Sequence, residues 1–348
     1  MNKNIAISIN RFSRGGGMES YTFDLVNQIT GDGHAVKIYA ACFDTELAEY
    51  AKIKACLVNQ SRVPKKLRPF FFSRQLQKQR ANNEYLIACN PSDNADLFVC
   101  GGTHLGYLKG MQQRTNLLDK LIIRRNRTNY ETAKNIMAHS ALMKQEITQL
   151  YGIDGRKVHV VYPPVDTKCF HNDHSQNEAV RQRYGFRPEE TVFLFPSTGH
   201  KRKGLDMLAE FFEHTDLPVK LAVAGSPLPK PMKNVAELGF CKNMPELYRA
   251  ADYTIMASLY EPFGLVGVES VLSGTKVVLS DNMACTEVMK PEAGFFFSRN
   301  DPQTLADAVE QAVMQKQQGK HKIANPLEVL SYNPELSHHV KALYQFLD

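Results

Sequence analysis

Short apolar segments rich in β-branched residues alternate with stretches of helical periodicity along almost the whole 348-residue chain. This alternation is typical of parallel sheets flanked by helices, and it predicts an α/β fold. The candidate strands lie in both halves of the chain: Ile5–Ile9, Val36–Tyr39, Leu97–Cys100, Ile136–Ala138 and Val158–Tyr162, then Val192–Phe195, Val219–Ala224, Tyr253–Ala257 and Val277–Ser280. The sequence therefore predicts two successive doubly wound, Rossmann-like domains.

The length agrees with two domains, at roughly 150 residues for each. Pro163 and Pro164, followed by the polar stretch His171–Asn177, mark the junction. We expect an N-terminal domain at residues 1–166, a C-terminal domain at 167–332 and a final helix within 333–348. Parallel sheets bind ligands beyond the carboxyl ends of their strands, so we expect the site in a cleft between two facing domains.

Composition excludes several other classes of protein. With 43% hydrophobic and 22% charged residues, the chain is neither collagen-like, disordered nor a coiled coil. It lacks an apolar run of the roughly 18 residues that a membrane-spanning helix needs, and its N-terminus lacks signal-peptide features, so we expect a cytoplasmic protein. The seven cysteines are never spaced as CxxC, which indicates neither a disulfide framework nor a zinc site.

The excess of positive charge belongs to the first half. Residues 1–166 carry 23 basic and 14 acidic side chains, a net +9, whereas the remainder carries 19 and 22, a net −3. Residues 61–80 hold seven basic side chains, no acidic one and the cluster Phe70–Phe72. This composition suits an anionic membrane surface or a phosphorylated acceptor, while a solvated loop and helix is an equally open interpretation. A nucleic-acid partner is disfavoured because the rest of the chain has the pattern of an enzyme.

A glycine-rich turn follows the first predicted strand. Gly15, Gly16 and Gly17 precede a helical pattern, so their backbone N–H groups can approach an anionic ligand at the N-terminus of a helix. The turn matches neither GxGxxG nor GxxxxGK[ST], which removes the main support for nicotinamide-cofactor and P-loop functions. A flexible turn without a ligand is the alternative.

A cationic turn occupies the corresponding place in the second half. Lys201, Arg202, Lys203 and Gly204 follow the strand Val192–Phe195 and precede another helical pattern. Adjacent cations repel one another unless they are solvated or face an anion, and a diphosphate suits both side-chain types. An exposed basic loop is the alternative.

Two glutamates eight residues apart give the strongest signal. Glu261 follows the strand Tyr253–Ala257, and Glu269 lies about one turn into the next helix, whose side chains lean toward its N-terminus. One ligand could therefore touch both carboxylates, which accept hydrogen bonds from hydroxyl-rich ligands. Ordinary surface glutamates and a two-carboxylate hydrolase are alternatives, but the second leaves the cationic turn unexplained.

In this order the motifs resemble those of retaining glycosyltransferases of family 4, which have the GT-B fold of two facing Rossmann-like domains. The resemblance covers nearly the whole chain, and its most specific pieces are these: Gly16-Gly17-Met18-Glu19, Gly33-His34, Ser140, Val165-Asp166 with Phe170, Lys203-Gly204, and Glu261 with Glu269. The segment from Cys100 to Leu108 most resembles members that build bacterial lipopolysaccharide core or related envelope glycans. In this fold the final helix would cross back to the first domain.

The resemblance also implies roles for individual residues. Arg202 and Lys203 would hold the donor diphosphate, Glu269 the ribose, and Glu261 the donor sugar. The remaining implied positions are the backbone of Phe263, Gly264 and Leu265 at the sugar, Gly16 and Gly17 at the phosphates, and His104 near C6 of the sugar. His104 could equally be a core histidine. Thr198 departs from the pattern, since many members have an arginine five residues before the motif lysine.

The implied reaction moves a hexose-type sugar, with retention, from a UDP-, GDP- or ADP-sugar to a glycan or glycolipid acceptor at the inner face of the cytoplasmic membrane. The chain contains no Asp-x-Asp, which fits an enzyme that needs neither a metal nor another cofactor. His171 and His174 form only a weak metal motif on a polar loop. A non-catalytic nucleotide-sugar-binding protein and a sugar-nucleotide epimerase stay open as alternatives.

Overall fold

The computed structural model describes residues 4–64 and 67–347, and these form two compact units. The first contains the chain up to Pro164 together with the segment from Glu335 onward, and the second runs from Val165 to Pro334. These limits differ by two residues from the predicted domain boundaries. Lys65 and Lys66 of the basic stretch lie outside the described residues.

The first unit is a parallel sheet of seven strands with the order β3-β2-β1-β4-β5-β6-β7. Its strands are β1 (Asn4–Ser8), β2 (Val36–Ala40), β3 (Ile53–Leu57), β4 (Glu84–Ala88), β5 (Leu97–Cys100), β6 (Asn135–Ala138) and β7 (Val158–Val160). Its helices, up to the end of this sheet, are α1 (Gly17–Gly31), α2 (Arg68–Gln79), α3 (His104–Gly110), α4 (Leu117–Thr132) and α5 (Ala141–Tyr151), with 3-10 turns at Ala48–Lys52 and Gly155–Lys157.

The second unit repeats this plan with six parallel strands in the order β10-β9-β8-β11-β12-β13. Its strands are β8 (Thr191–Ser197), β9 (Val219–Gly225), β10 (Val235–Gly239), β11 (Tyr253–Met256), β12 (Lys276–Ser280) and β13 (Gly294–Phe297). Its helices are α6 (Asn177–Arg183), α7 (His200–Lys203), α8 (Leu205–His214), α9 (Met244–Ala250), α10 (Leu265–Leu272) and α11 (Pro302–Gln317), with 3-10 turns at Ala284–Val288, Pro291–Ala293 and Pro326–Val329. The predicted architecture of two doubly wound parallel sheets is confirmed.

The last helix, α12 (Leu336–Tyr344), packs on the first unit. Val340 and Leu343 join the core beside α1, while His339 lies 2.8 Å from the Tyr21 hydroxyl and 2.9 Å from the Tyr162 carbonyl oxygen. A carbonyl oxygen only accepts, so Nδ1 of the neutral ring donates to Tyr162 and Nε2 accepts from Tyr21. The predicted final helix therefore belongs to the first unit.

Local sequence explains where the helices that matter for function begin. Asn116 caps α4, because its side chain accepts from the N–H groups of Leu118 and Asp119, while Asp119 accepts from the Asn116 N–H. Thr103 caps α3 by accepting from the Gly106 N–H. Thr103 lies in the loop after β5, where parallel sheets present their ligand-binding residues, and Asn116 lies in the loop between α3 and α4.

No helix in the described ranges 4–64 and 67–347 is both long and apolar enough to cross a bilayer.

Candidate functional site

The predicted cationic turn is itself one turn of helix, α7, and a glycine holds it against the sheet. Gly204 has a φ of +78°, and a Cβ at this position would lie 1.8 Å from the Ala257 carbonyl oxygen at the end of β11. Only glycine allows this approach. The Leu259 N–H donates to the Arg202 carbonyl oxygen at 2.8 Å, so the cationic turn and the loop after β11 are joined directly.

Arg202 and Glu261, both singled out from the sequence, form an ion pair in this structure. Arg202 Nη1 donates to Glu261 Oε2 at 2.7 Å and to the Tyr260 carbonyl oxygen at 3.0 Å. The pair keeps partial exposure, with 31% of the arginine side chain and 15% of the glutamate side chain accessible. The structure therefore brings together one cation and one anion from the two strongest motifs.

Lys203 turns its amine inward, toward the carboxyl end of β8. Its Nζ donates to the Pro196 carbonyl oxygen at 2.9 Å. Burial lowers the pKa of Lys203, and the charge of Arg202 lowers it further, while the carboxylates of Glu261 and Glu269 oppose this change. A buried cation at this edge would be stabilised by an anionic ligand.

The loop that carries Glu261 is fixed on its other side by backbone pairing. The carbonyl oxygens of Glu261 and Phe263 accept from the N–H groups of Ala284 and Cys285, at 3.2 and 2.7 Å. Gly264 then takes a φ of +100° and precedes α10, which begins at Leu265. The backbone from Phe263 to Leu265 therefore has one defined course at the start of a helix.

Glu269 lies on α10 with its carboxylate directed inward. The Tyr248 hydroxyl donates to Glu269 Oε2 at 2.9 Å. Burial raises the pKa of the Glu269 carboxyl group, while the Tyr248 hydrogen bond and the charge of Lys203 lower it. A carboxylate in this position can accept hydrogen bonds from ligand hydroxyls.

In the first unit, the glycine turn lies at the start of α1 and is exposed. The Gly16 N–H donates to Glu19 Oε2 at 3.1 Å, so a side chain of the same helix occupies the first of the predicted anion-binding donors. Gly17 is the first residue of α1. A phosphate that used Gly16 would have to displace Glu19.

His104 is the first residue of α3, and it is not an isolated core histidine. Its Nε2 lies 2.8 Å from Asp119 Oδ1, with 22% of the His104 side chain accessible. The other carboxylate oxygen, Oδ2, accepts from the Asn116 N–H, and these contacts lower the pKa of Asp119. Asp119 thus joins the start of α4 to His104.

The structure collects seven predicted positions at the carboxyl edge of the second sheet. They are Arg202, Lys203, Glu261, Phe263, Gly264, Leu265 and Glu269. Gly16, Gly17 and His104 lie at the corresponding edge of the first sheet, where a Cβ at Gly101 would lie 3.0 Å from Met18 Cε on α1.

Sequence reasoning missed three side chains that touch these positions. Tyr248 contacts Glu269, Asp119 contacts His104, and Arg299 Nη1 donates to the Ala257 carbonyl oxygen beside Gly204. None belongs to a motif, since each comes from a different segment and only the fold of its own unit brings it beside the residue that it contacts. The sequence offered no signal for Arg299 either, because β13, the strand that precedes it, was not predicted.

His174 of the weak metal motif lies 3.0 Å, through Nδ1, from the side-chain nitrogen of Asn177. Within the part of the chain that the structure describes, no three His, Cys, Asp or Glu side chains are grouped so as to hold a metal ion.

Matches to family models cover both units. Residues 15–168 match Glycosyltransferase Family 4, and residues 176–326 match Glycosyl transferases group 1. The chain is also 36% identical over 349 residues to a protein of Burkholderia thailandensis named as a probable transglycosylase, an alignment that covers 97% of this chain and 95% of that protein. The chain belongs to glycosyltransferase family 4.

Other relatives match over about half of their length. A D-inositol 3-phosphate glycosyltransferase of Jonesia denitrificans is 29% identical over 210 residues, which cover 53% of this chain and 49% of that protein.

Solved structures share the fold at low sequence identity. Anabaena HepE in complex with UDP and glucose has a TM-score of 0.77 and 16% identity over 99% of both chains. WaaG, a glycosyltransferase involved in lipopolysaccharide biosynthesis, has a TM-score of 0.70 and 15% identity over 90% of this chain and 91% of its own. These likenesses show the fold, and they agree with the GT-B class of two Rossmann-like domains.

Proposed function

We propose that this glycosyltransferase moves a hexose-type sugar, with retention, from a nucleotide diphosphate sugar to a glycan or glycolipid acceptor of the cell envelope. The observation that carries the proposal is the group of Arg202, Lys203, Glu261 and Glu269 at one sheet edge, with the Arg202–Glu261 contact at 2.7 Å. Cations suit a diphosphate, and carboxylates suit sugar hydroxyls, so this group matches the two halves of such a donor.

Each side chain has a distinct task in the proposed donor complex. Lys203 and Arg202 oppose the negative charge of the diphosphate, and Glu269 accepts from the ribose hydroxyls. Arg202 engages Oε2 of Glu261, which leaves Oε1 for a hydroxyl of the sugar. The backbone from Phe263 to Leu265 contacts the same sugar. A solved relative in fold, Anabaena HepE, was crystallised with UDP-glucose, which supports a nucleotide sugar as the donor class.

In the proposed chemistry the acceptor attacks the face of the sugar from which the diphosphate leaves. The bond from C1 to the phosphate oxygen breaks, the bond from C1 to the acceptor oxygen forms, and a departing phosphate oxygen takes the acceptor proton. The protein supplies positive potential for the leaving group rather than a nucleophile. We therefore expect transfer without a divalent metal or other cofactor.

The proposed setting is the cytoplasmic face of the inner membrane, in lipopolysaccharide or related envelope glycan synthesis. The basic first half of the chain and the likeness in fold to WaaG, whose description names lipopolysaccharide biosynthesis, support this setting.

The test is incubation with UDP-, GDP- or ADP-sugars and a bacterial glycolipid extract, in EDTA, followed by NMR of the product. We expect release of nucleoside diphosphate that depends on acceptor, and an anomeric configuration equal to that of the donor. Inverted product would contradict retention, and loss of transfer in EDTA would contradict metal independence. Isomerisation of the donor sugar in the absence of acceptor would favour an epimerase. Binding of the nucleotide sugar without any turnover would favour a sensor protein.

A further inference from the structure

A buried carboxylate lies beneath the first turn of α3 and has no part in the proposed donor site. It belongs to Glu146 on α5, a residue that is only 8% exposed. Removing a charged group from water is costly unless hydrogen bonds replace its hydration. The contacts of this carboxylate therefore indicate what it does for the structure around it.

The carboxylate sets the direction of the hydroxyl group that caps α3. Thr103 Oγ1 donates to Glu146 Oε2 at 2.5 Å, and the same oxygen accepts from the Gly106 N–H at 3.0 Å. A hydroxyl group has a single proton, so its donation to Glu146 leaves the lone pairs for the N–H group. Glu146 thus holds Thr103 in the orientation that caps the helix.

Gly106 gives the carboxylate room to pack directly on α3. A Cβ at this position would lie 2.2 Å from the carboxyl carbon and from both carboxylate oxygens of Glu146. Atoms that are not bonded do not approach so closely, so any larger residue would push the carboxylate and the helix apart. The first turn of α3 is therefore built against this one side chain.

A second side chain of α5 reaches the same turn. The Tyr151 hydroxyl accepts from the Leu105 N–H at 3.1 Å. The first N–H groups of a helix have no partner within the helix itself. In α3, Tyr151 satisfies the N–H of Leu105, and Thr103, oriented by Glu146, satisfies that of Gly106.

His104 is the first residue of the turn that these contacts hold. Its imidazole Nε2 lies 2.8 Å from Asp119 Oδ1 on α4. Helix α5 therefore fixes the backbone at His104, while α4 fixes its ring. A functional side chain is placed accurately only when neighbours hold both its backbone and its rotamer.

We infer that Glu146 is a positioning residue, which sets the place of the His104 imidazole through Thr103 and the first turn of α3. The task of His104 at the transferred sugar rests on the proposed function. Without the carboxylate, the Thr103 hydroxyl can turn away from Gly106 and space opens beneath α3. The turn that carries His104 is then free to move toward α5, and a shift of about 1 Å in a group that contacts a substrate can lower the rate about a hundredfold.

The test is a double-mutant cycle on kcat/KM for transfer, with Glu146→Ala, His104→Ala and the double variant. We expect Glu146→Ala to lower kcat/KM by about tenfold or more when His104 is present. It should have little further effect in the His104→Ala background, because no imidazole is left to be positioned there. A residue that only stabilises the fold would cost the same factor in both backgrounds.

Further variants separate positioning from loss of structure. Glu146→Gln keeps an oxygen that can accept from Thr103, so it should retain most of kcat/KM. Ile147→Val shortens a neighbouring buried side chain of α5 and should behave like the wild type. Circular dichroism checks folding, and Glu146→Met, which fills the space without an acceptor oxygen, replaces Glu146→Ala in the cycle if that variant does not fold.

The His104 ring can also be followed without a donor, in NMR spectra of histidine-labelled protein. Its signals, assigned by their absence in His104→Ala, should shift in Glu146→Ala and keep their place in Ile147→Val. Shifted signals without transfer by the wild type would leave the positioning role standing while the proposed function fails.

Three results would overturn the inference while wild-type transfer upholds the proposed function. They are unchanged kcat/KM in folded Glu146→Ala or in His104→Ala, an equal loss in both backgrounds of the cycle, and His104 signals that do not move when Glu146 is replaced.

Discussion

At the scale of single residues, burial acts in opposite senses on the two charge types of the site. It lowers the pKa of Lys203 and raises the pKa of Glu269, so each group is pushed toward its neutral form. A donor that brings a diphosphate to Lys203 and hydroxyls to Glu269 would favour the charged forms again. This compensation gives the site a physical reason to prefer an anionic, hydroxyl-rich ligand.

In the first unit, the prediction at the scale of single residues concerns the Asp119 carboxylate. Asp119→Asn keeps an oxygen that can cap α4 but removes the charge facing His104, so the imidazole loses its charge-assisted partner. If His104 contacts the donor sugar, kcat/KM should fall about tenfold, with a changed pH profile.

The matched variant is Asn116→Ala, which removes the cap but leaves the contact between His104 and Asp119. Steady-state kinetics across pH distinguish the two. An equal loss in both variants, with an unchanged pH profile, would show that Asp119 acts only through the helix.

At the scale of elements, the cationic turn depends on Gly204. Gly204→Ala places a Cβ 1.8 Å from the Ala257 carbonyl oxygen at a φ of +78°, so α7 must move away from β11. We expect a loss of about 3 kcal/mol or more in the free energy of unfolding. Urea unfolding measures it.

Gly199→Ala is the control in the same turn, because its Cβ would meet nothing within 4 Å. Its stability should stay close to that of the wild type. Comparable losses in both variants would contradict the role given to the close approach.

The free energy of unfolding should decrease in acid because of two buried histidines, His139 after β6 and His339 on α12. Burial lowers the pKa of His139 to about 3 and that of His339 to about 4, so both rings stay neutral in the folded protein. In the unfolded chain both imidazole rings take up protons below the ordinary histidine pKa of about 6.5. In the folded protein they stay neutral in this range. Stability should therefore fall as pH drops from 6.5 to 4, by about 1.4 kcal/mol per pH unit for each ring.

Unfolding of the His139→Phe variant over this range checks the sign, because one titrating ring is removed and the slope should decrease. A His139→Phe slope equal to that of the wild type would refute the assignment.

The strands also differ in how well the sequence predicts them. The nine predicted strands all occur, because each is a short apolar run between turn residues. Three of the four missed strands, β3, β10 and β13, are edge strands with partly exposed residues, so their apolar pattern is interrupted. The fourth, β4, contains Glu, Leu and Ala, which favour helices, and its burial in the sheet overrides that preference.

At the scale of the whole molecule, only those site residues could be predicted that belong to motifs continuous in the sequence. Arg202 with Lys203, and Glu261 with Glu269, are close in sequence, so local spacing identifies them. Tyr248 and Arg299 reach the edge of the second sheet, and Asp119 reaches His104 in the first unit, each from a separate segment. The exposure of the first turns of α4 could not be predicted either, because the sequence of this helix resembles that of a packed amphipathic helix.

The most direct test of the central claim compares Lys203→Ala with Lys201→Ala in an assay of nucleoside diphosphate release. The two lysines belong to the same helical turn, but Lys201 is exposed, whereas Lys203 points into the sheet edge. If Lys203 stabilises the departing diphosphate, its removal should lower kcat/KM by about a hundredfold or more, and Lys201→Ala should retain near-normal transfer. Equal activity of the two folded variants would contradict the account.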